Sequence, residues 1–373
     1  MTQSNSPSLA AFLNLPFESL GKHIDELETP VPIIDIDIML SNLQRWQDHC
    51  NKLGINNRPH IKTHKLVALA KLQMNLGANG ICVQKLGEAE VMADAGITDL
   101  LLTFNILGRT KLERLSALRK RTEIAVVADS AVILDGLEHA AQRAGRKLDV
   151  LVECDTGAAR NGTQNPAATI ELAKNIARRK DLNFAGLMTY PPAFQRQSVA
   201  NFIAETKAGL AKAGLDCARV TTGGSKDLWD EAGLADITEY RAGTYIYFDR
   251  SLVAAGACDF ADCAETVLTT IVSTPTPNRA LIDAGSKALT SDLLGLQGYG
   301  VVQDLNMAEV YNVNEEHGYL DTSRVQNKPR VGDLVQVTMN HVCPVNNLFD
   351  KVIFVRGQQV LGALAIDARG KVQ

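Results

Sequence analysis

Lys62 stands in the run Arg58-Pro59-His60-Ile61-Lys62-Thr63-His64-Lys65, after the turn residues Gly54, Asn56 and Asn57 and before the apolar run Leu66-Val67-Ala68-Leu69-Ala70. That context places it where a strand hands over to a helix. A lysine at such a point can be desolvated, lose its proton and form a Schiff base with a carbonyl. A basic surface loop accounts for the same local residues, and the run by itself leaves both readings open.

Other stretches have residue types suited to the same chemistry. Thr221-Thr222-Gly223-Gly224-Ser225 and Arg241-Ala242-Gly243-Thr244-Tyr245 are glycine turns that offer backbone N–H groups and hydroxyls to a phosphate. Ordinary turns have the same composition. Asp155-Thr156-Gly157-Ala158-Ala159-Arg160-Asn161-Gly162 carries a guanidinium that stays charged; a surface-loop arginine is the plain alternative. Tyr190, before Pro191-Pro192, can orient a ring or relay a proton, or be a half-buried structural tyrosine. In His341-Val342-Cys343-Pro344 the imidazole and thiol stand two apart, which on a strand puts both on one side. Together they suit Zn²⁺, yet two ligands make an incomplete site, and a buried cysteine beside an exposed histidine is the competing reading. His317 reads as an exposed loop residue.

The elements that must position these residues alternate. Strands are expected at Pro59–Lys62, Gly80–Gln84, Leu100–Phe104, Glu123–Ala128, Asp149–Glu153, Asn183–Thr189, Ala218–Thr222 and Ile237–Tyr247. Amphipathic helices are expected at Leu66–Leu76, Leu86–Ala95, Lys111–Ala117, Ala131–Ala144, Pro166–Arg178 and Val199–Ala213. Eight apolar strands with helices between them predict an α/β fold, a (β/α)8 TIM-type barrel. An open doubly wound sheet competes, but no Gly-x-Gly-x-x-Gly follows the first strand. Thr29–Asp37 reads as an earlier strand with Asp37 capping a helix from Ile38. Past about Phe248 the long helical period disappears. Strands at Thr266–Ser273, Arg279–Asp283, Ala308–Val313, Leu334–Met339 and Lys351–Val355 predict a C-terminal all-β domain. The expected division is an N-terminal arm over 1–27 with a short helix at Ser8–Leu13, a barrel over 28–255 and a β domain over 256–373.

The 373 residues suffice for a barrel of about 250 residues and a second module of about 100. A 46% hydrophobic share supports a large core, and a net charge of −4 without a basic block argues against nucleic acid as a partner. No apolar run reaches the ~18 residues of a membrane span, and the polar Met1–Leu20 leads us to expect no signal peptide. Seven scattered cysteines without a CxxC pair fit a reduced, cytoplasmic setting.

With those residues in view, the chain resembles the D-threonine aldolase and D-serine dehydratase family, whose members are pyridoxal 5′-phosphate enzymes of the alanine-racemase-like fold type. The resemblance runs from about Thr29 to Lys371. Its most specific pieces are Arg58-Pro59-His60-x-Lys62-x-His64-Lys65, Gly80-Ile81-Cys82-x-Gln84-Lys85, Asp283-Ala284-Gly285-x-Lys287, Glu316-His317-Gly318 and His341-x-Cys343-Pro344. It implies that Lys62 is the Schiff-base lysine and that Arg160 approaches the pyridine nitrogen, keeping it unprotonated. It puts Tyr190 close to the cofactor, in a catalytic place with Lys62. His60, Gln84, Thr222, Gly223, Gly224, Gly243, Thr244 and Tyr245 complete the cofactor set. His341 and Cys343 would hold a divalent metal, Zn²⁺ first, with Mn²⁺ or Co²⁺ able to substitute.

The implied activity is a lyase acting on β-hydroxy D-amino acids, aldolase-like, giving glycine and an aldehyde, in a homodimer. A D-serine dehydratase-like ammonia-lyase is the alternative; a racemase and a non-catalytic cofactor carrier are further ones. The chain departs from the aldolase pattern in three places. Cys343 stands where aldolases usually have aspartate and dehydratases have cysteine. Pro191-Pro192-Ala193-Phe194-Gln195-Arg196 lacks the histidines that follow the aldolase tyrosine. Ser225 and Lys226 replace the usual glycine and threonine.

Overall fold

A computed structural model describes residues 17–20 and 22–373. Its contacts divide the chain into two units. One holds residues 46–62 and 67–243 with the last three residues; the other holds the described residues up to Arg45, 63–66 and 244–370.

The first unit contains eight parallel strands. Their order is Asn56–Asn57, Glu239–Tyr240, Val220–Thr222, Leu182–Thr189, Leu148–Cys154, Glu123–Ala128, Asp99–Leu102 and Ile81–Val83. A parallel bridge between His60 and Cys82 joins the two ends, so the sheet closes into the expected barrel. The central strands are buried along nearly their whole length, as strands covered on both faces must be. Leu101, Ala125, Val127, Leu151 and Met188 pack together as one apolar layer. Helices Ala131–Ala144 and Pro166–Arg178 lie where the apolar period predicts them. Asn165 caps the second by accepting the Ala168 N–H, with Pro166 at the position where its missing N–H loses nothing. The first barrel strand lies earlier than expected: Asn56–Asn57, read as turn residues, form it, whereas of Pro59–Lys62 His60 makes a single bridge and Ile61 to His64 form a turn. The last strand is shorter than expected, and Thr244–Ile246 is a 3-10 turn.

The second unit contains a closed antiparallel ring. Arg279–Ile282, Gly318–Asp321, Ala308–Val313, Gly300–Val302, Leu334–Met339 and Glu265–Thr276 pair in that order, and Glu265–Thr276 pairs back to Arg279–Ile282. Beyond the ring the sheet continues through Val31–Asp35, Lys351–Arg356 and Gln359–Ala365. Ile24, Val31, Ile33, Leu268, Ile353 and Val355 form its apolar core there.

The pairing of Val31–Asp35 alters the expected division at 28–255. This strand lies between Glu265–Thr276 and Lys351–Arg356, so it belongs with the antiparallel sheet, and the boundary near the C-terminal side falls after Gly243. The helix that follows spans Ile36–Leu53, and its cap is Asp35, not Asp37: Asp35 Oδ1 accepts the N–H groups of Asp37 and Ile38 at 3.0 and 3.2 Å. The C-terminal part forms the expected β domain, and within it Val342–Leu348 is a short helix. Of the expected N-terminal arm, Ser8–Leu13 lies outside the described residues; Glu18 and His23 bridge to Ala363 and Gln359.

Candidate functional site

Closing a parallel barrel gathers the C-terminal ends of its strands at one end. His60 and Lys62 follow Asn56–Asn57, Gln84 follows Ile81–Val83, and Arg160 sits on the loop after Leu148–Cys154. Tyr190 follows Leu182–Thr189, Thr222 ends Val220–Thr222 with Gly223 and Gly224 next, and Gly243 follows Glu239–Tyr240. The topology therefore brings these residues to one end of the barrel.

His60 governs the local setting of Lys62. The backbone N–H of Lys62 donates to His60 Nδ1 at 3.4 Å, so Nε2 carries the ring hydrogen and donates to Gln84 Oε1 at 3.1 Å. Gln84 Nε2 donates onward to Thr103 O at 3.0 Å. The Lys62 side chain is exposed. Two nearby lysines are engaged: Lys65 is buried with Nζ 3.4 Å from Ala368 O, and Lys85 Nζ lies 3.8 Å over the Phe104 ring.

Gly223 and Gly243 are buried, yet their backbone N–H groups, like that of Gly224, donate to nothing among the described residues. A buried unpaired N–H is costly, and an anion is the acceptor that two converging glycine turns suit. Gly224 has φ +125°, a backbone that side-chain-bearing residues rarely adopt. A free amine together with unpaired glycine donors on the last two strand ends fits pyridoxal 5′-phosphate.

The Arg160 loop is held from within. Asp155 Oδ1 accepts the N–H groups of Gly157 and Ala159, and the Thr163 N–H returns to Glu153 O at 2.8 Å. Arg160 then lies 4.9 Å over the Tyr190 ring and 3.8 Å from Glu153 Oε1.

Arg58 is not part of this group. Its guanidinium pairs with Glu239 at 2.7 Å and Asp99 at 2.8 Å, the first residues of their strands, and so it belongs to the N-terminal end of the barrel. His64 is fully buried and accepts the Leu66 N–H at 3.0 Å.

In the second unit Cys343 acts electrostatically on His341, but a strand does not arrange the two. His341 is the extended N-cap residue of helix Val342–Leu348, and Cys343 lies in its first turn. The helix start is pinned by buried Asp249, which accepts the Val342 N–H at 3.1 Å. Asp292 Oδ2 lies 2.6 Å from His341 Nδ1, and Thr63 Oγ1 lies 3.2 Å from Cys343 Sγ. Burial pulls the His341 imidazole down, but Cys343 and Asp292 outweigh it and raise it to about 9. Imidazole and thiol suit a borderline-soft divalent ion. Among the described residues no group of three or more His, Cys, Asp or Glu is arranged to hold one. The pair therefore fits an open site completed by other oxygen donors, not a closed structural one.

Thr244 and Tyr245 also fall in this unit. The Thr244 hydroxyl lies 3.7 Å from Cys343 Sγ, and Tyr245 is buried. His317 is exposed, as expected. Residue types and spacing do not single out Asp292, Asp249 or Glu153. Only Glu153 leaves a signal in the sequence, a carboxylate that follows the apolar run Val150–Val152 of a barrel strand.

The family model described as "Alanine racemase, N-terminal domain" matches residues 34–251, and the one described as "Putative serine dehydratase domain" matches residues 264–355. The chain is 31% identical to a D-threonine aldolase of an Arthrobacter species, over 94% of this chain and 95% of that one. It is 28% identical to the D-threo-3-hydroxyaspartate dehydratase of a Delftia species, over 87% and 93%. The crystal structure of D-threonine aldolase from Filomicrobium marinum superposes with a TM-score of 0.88 at 32% identity, covering 95% of this chain and 99% of that one. On this sequence and fold evidence the chain belongs to the D-threonine aldolase and D-serine dehydratase family, built on the alanine-racemase type of barrel.

Proposed function

We propose that the protein is a pyridoxal-phosphate-dependent, divalent-metal-assisted lyase that cleaves β-hydroxy D-amino acids to glycine and an aldehyde. The observation that carries this reading is the Lys62 amine at the C-terminal end of the barrel, with unpaired glycine N–H groups on the last two strand ends. The full-length likeness to a D-threonine aldolase supports the choice of reaction.

Bound pyridoxal phosphate would supply the electron sink for bond cleavage at Cα. Lys62 Nζ would hold the cofactor through its carbonyl carbon. Gly223, Gly224 and Gly243 would hold the phosphate through backbone N–H groups that meet no acceptor among the described residues. Arg160, whose guanidinium offers only N–H donors, would face the ring nitrogen and give it no proton. Tyr190, beneath the Arg160 guanidinium, would orient the cofactor ring. His341 and Cys343 would hold the metal, whose chemistry is Lewis-acid polarisation of the substrate β-hydroxyl.

One observation favours a second reading. Cys343 is the residue that dehydratases of this family show, and a serine dehydratase model matches the segment containing it. In that reaction Lys62 Nζ takes the α proton and hydroxide leaves. A racemase would use Lys62 and the glycine turns but has no need of His341 and Cys343. We further propose a homodimer, on the resemblance alone, and a cytoplasmic location, supported by seven free thiols; no described helix is long and apolar enough to cross a membrane.

The deciding experiment incubates the protein, cofactor and Mn²⁺ with D-threonine and with D-serine. Glycine plus acetaldehyde from D-threonine supports the aldolase. 2-Oxobutyrate or pyruvate with ammonia would replace it by the dehydratase.

A further inference from the structure

Strand Leu148–Cys154 carries one side chain that its apolar surroundings do not explain. Cys154 Sγ lies 3.9 Å from Thr169 Oγ1 on helix Pro166–Arg178, so Cys154 faces outward and its neighbour Glu153 faces the barrel interior. Glu153 is 2% exposed. A buried carboxyl in such a place is no stabiliser by default, because an apolar residue of similar size would avoid its desolvation.

Its partners are specific. Oε2 accepts from Asn161 Nδ2 at 2.7 Å, Asn161 Oδ1 accepts from Arg160 Nε at 3.1 Å, and Oε1 lies 3.8 Å from Arg160 Nη2. The carboxyl, the amide and the guanidinium thus form a closed triangle. The other charged groups acting on Glu153 are Arg241, after the last barrel strand, and Asp129, after strand Glu123–Ala128. Arg241 is already bound to Thr221 Oγ1 and Thr189 O.

We propose that Glu153 is the positioning residue for Arg160, holding the guanidinium at the barrel mouth directly by charge and through Asn161. Resting on the reading that Arg160 meets the cofactor ring, this gives Glu153 control over that contact without touching the cofactor. Burial pushes the Glu153 carboxyl up to about 7, more than Arg160, Arg241 and the Asn161 hydrogen bond pull it down. The hold on Arg160 is then weaker below neutrality, where the carboxyl is protonated, and stronger above it.

The test uses the full-length protein with pyridoxal 5′-phosphate as the probe. Cofactor dissociation constant and bound-cofactor absorbance are measured from about pH 5.5 to about pH 9, a span bracketing the titration. Wild type should show a transition near neutrality with tighter binding above it. Glu153→Gln, which keeps an acceptor for Asn161 but not the charge, should lose that transition and bind the cofactor about tenfold more weakly at the alkaline end, the loss of one charge-assisted partner. Glu153→Asp should keep a transition with a shifted midpoint. A Glu153→Gln profile that superimposes on wild type overturns the proposal. Should that variant not fold, a midpoint unmoved in Glu153→Asp overturns it equally. Wild type that takes up no cofactor at any pH overturns the functional reading itself, and the inference with it.

Discussion

His60 Nδ1 lies 3.4 Å from the backbone nitrogen of Lys62 and accepts its N–H, while Nε2 of the same ring donates to Gln84. The residue two positions before Lys62 therefore fixes the turn from which that lysine projects. Borohydride reduction in the presence of cofactor should label Lys62, because Lys65 and Lys85 are held elsewhere. Lys62→Ala should abolish turnover. His60→Ala should retain the Lys62 label but lower kcat about 10- to 100-fold, as expected when a reacting group is misplaced by about an ångström. A label found by peptide mapping on Lys65 or Lys85 would displace Lys62 from its role.

Chelation should remove lyase activity while leaving the cofactor absorbance intact, and Cys343→Ala should do the same. His341 is oriented by Asp292 at 2.6 Å. Asp292→Asn should weaken Mn²⁺ binding about 10- to 100-fold, the usual effect of losing a carboxylate behind a ligand histidine. Calorimetric titration of Mn²⁺ measures this independently of turnover. Full activity in metal-free protein would favour a racemase-like site.

Arg58 tests stability apart from chemistry. It and Glu239 are both nearly fully buried and 2.7 Å apart. Arg58→Ala should cost about 3 kcal/mol, the low end for breaking a buried pair, because it removes one guanidinium from a buried carboxylate and leaves it Arg219 at 2.9 Å. Burial raises the Glu239 carboxyl, but Arg58 and Arg219 outweigh it and hold it below its ordinary value. A carboxyl depressed in the folded state contributes its full stability above its unfolded pKa of about 4.3 and loses it as pH falls through the lower folded value. The gap between wild type and Arg58→Ala in denaturant unfolding should therefore be widest near neutrality and narrow in acid.

The proposed dimer predicts a light-scattering mass twice that of the chain. A monomer at micromolar concentration that retains full activity would remove the second copy from the functional account.

Local periodicity and turn chemistry are enough to determine many of this protein's elements. Helices Ala131–Ala144 and Pro166–Arg178 and strands Glu123–Ala128, Ala308–Val313 and Leu334–Met339 have the bounds that the apolar pattern predicts. Parallel closure then follows from the βα alternation, and with it the gathering of Lys62, Arg160, Tyr190 and Gly223 at one end. Pairing between distant segments decided the rest. Val31–Asp35 reads as a strand from its own residues, but its partners are some 230 and 320 positions away (Leu268 and Ile353 among them), and no local period encodes them. Arg58 looks like a companion of Lys62 in sequence, yet the ladder carries it to the opposite end of the barrel, where Glu239 and Asp99 neutralise it. His341 and Cys343 have strand spacing but meet at a helix start, because Asp249, some ninety residues earlier, caps that helix. The partners of Glu153 come from a loop that folds back across its strand end, a closure that burial and hydrogen bonding enforce and residue spacing does not express.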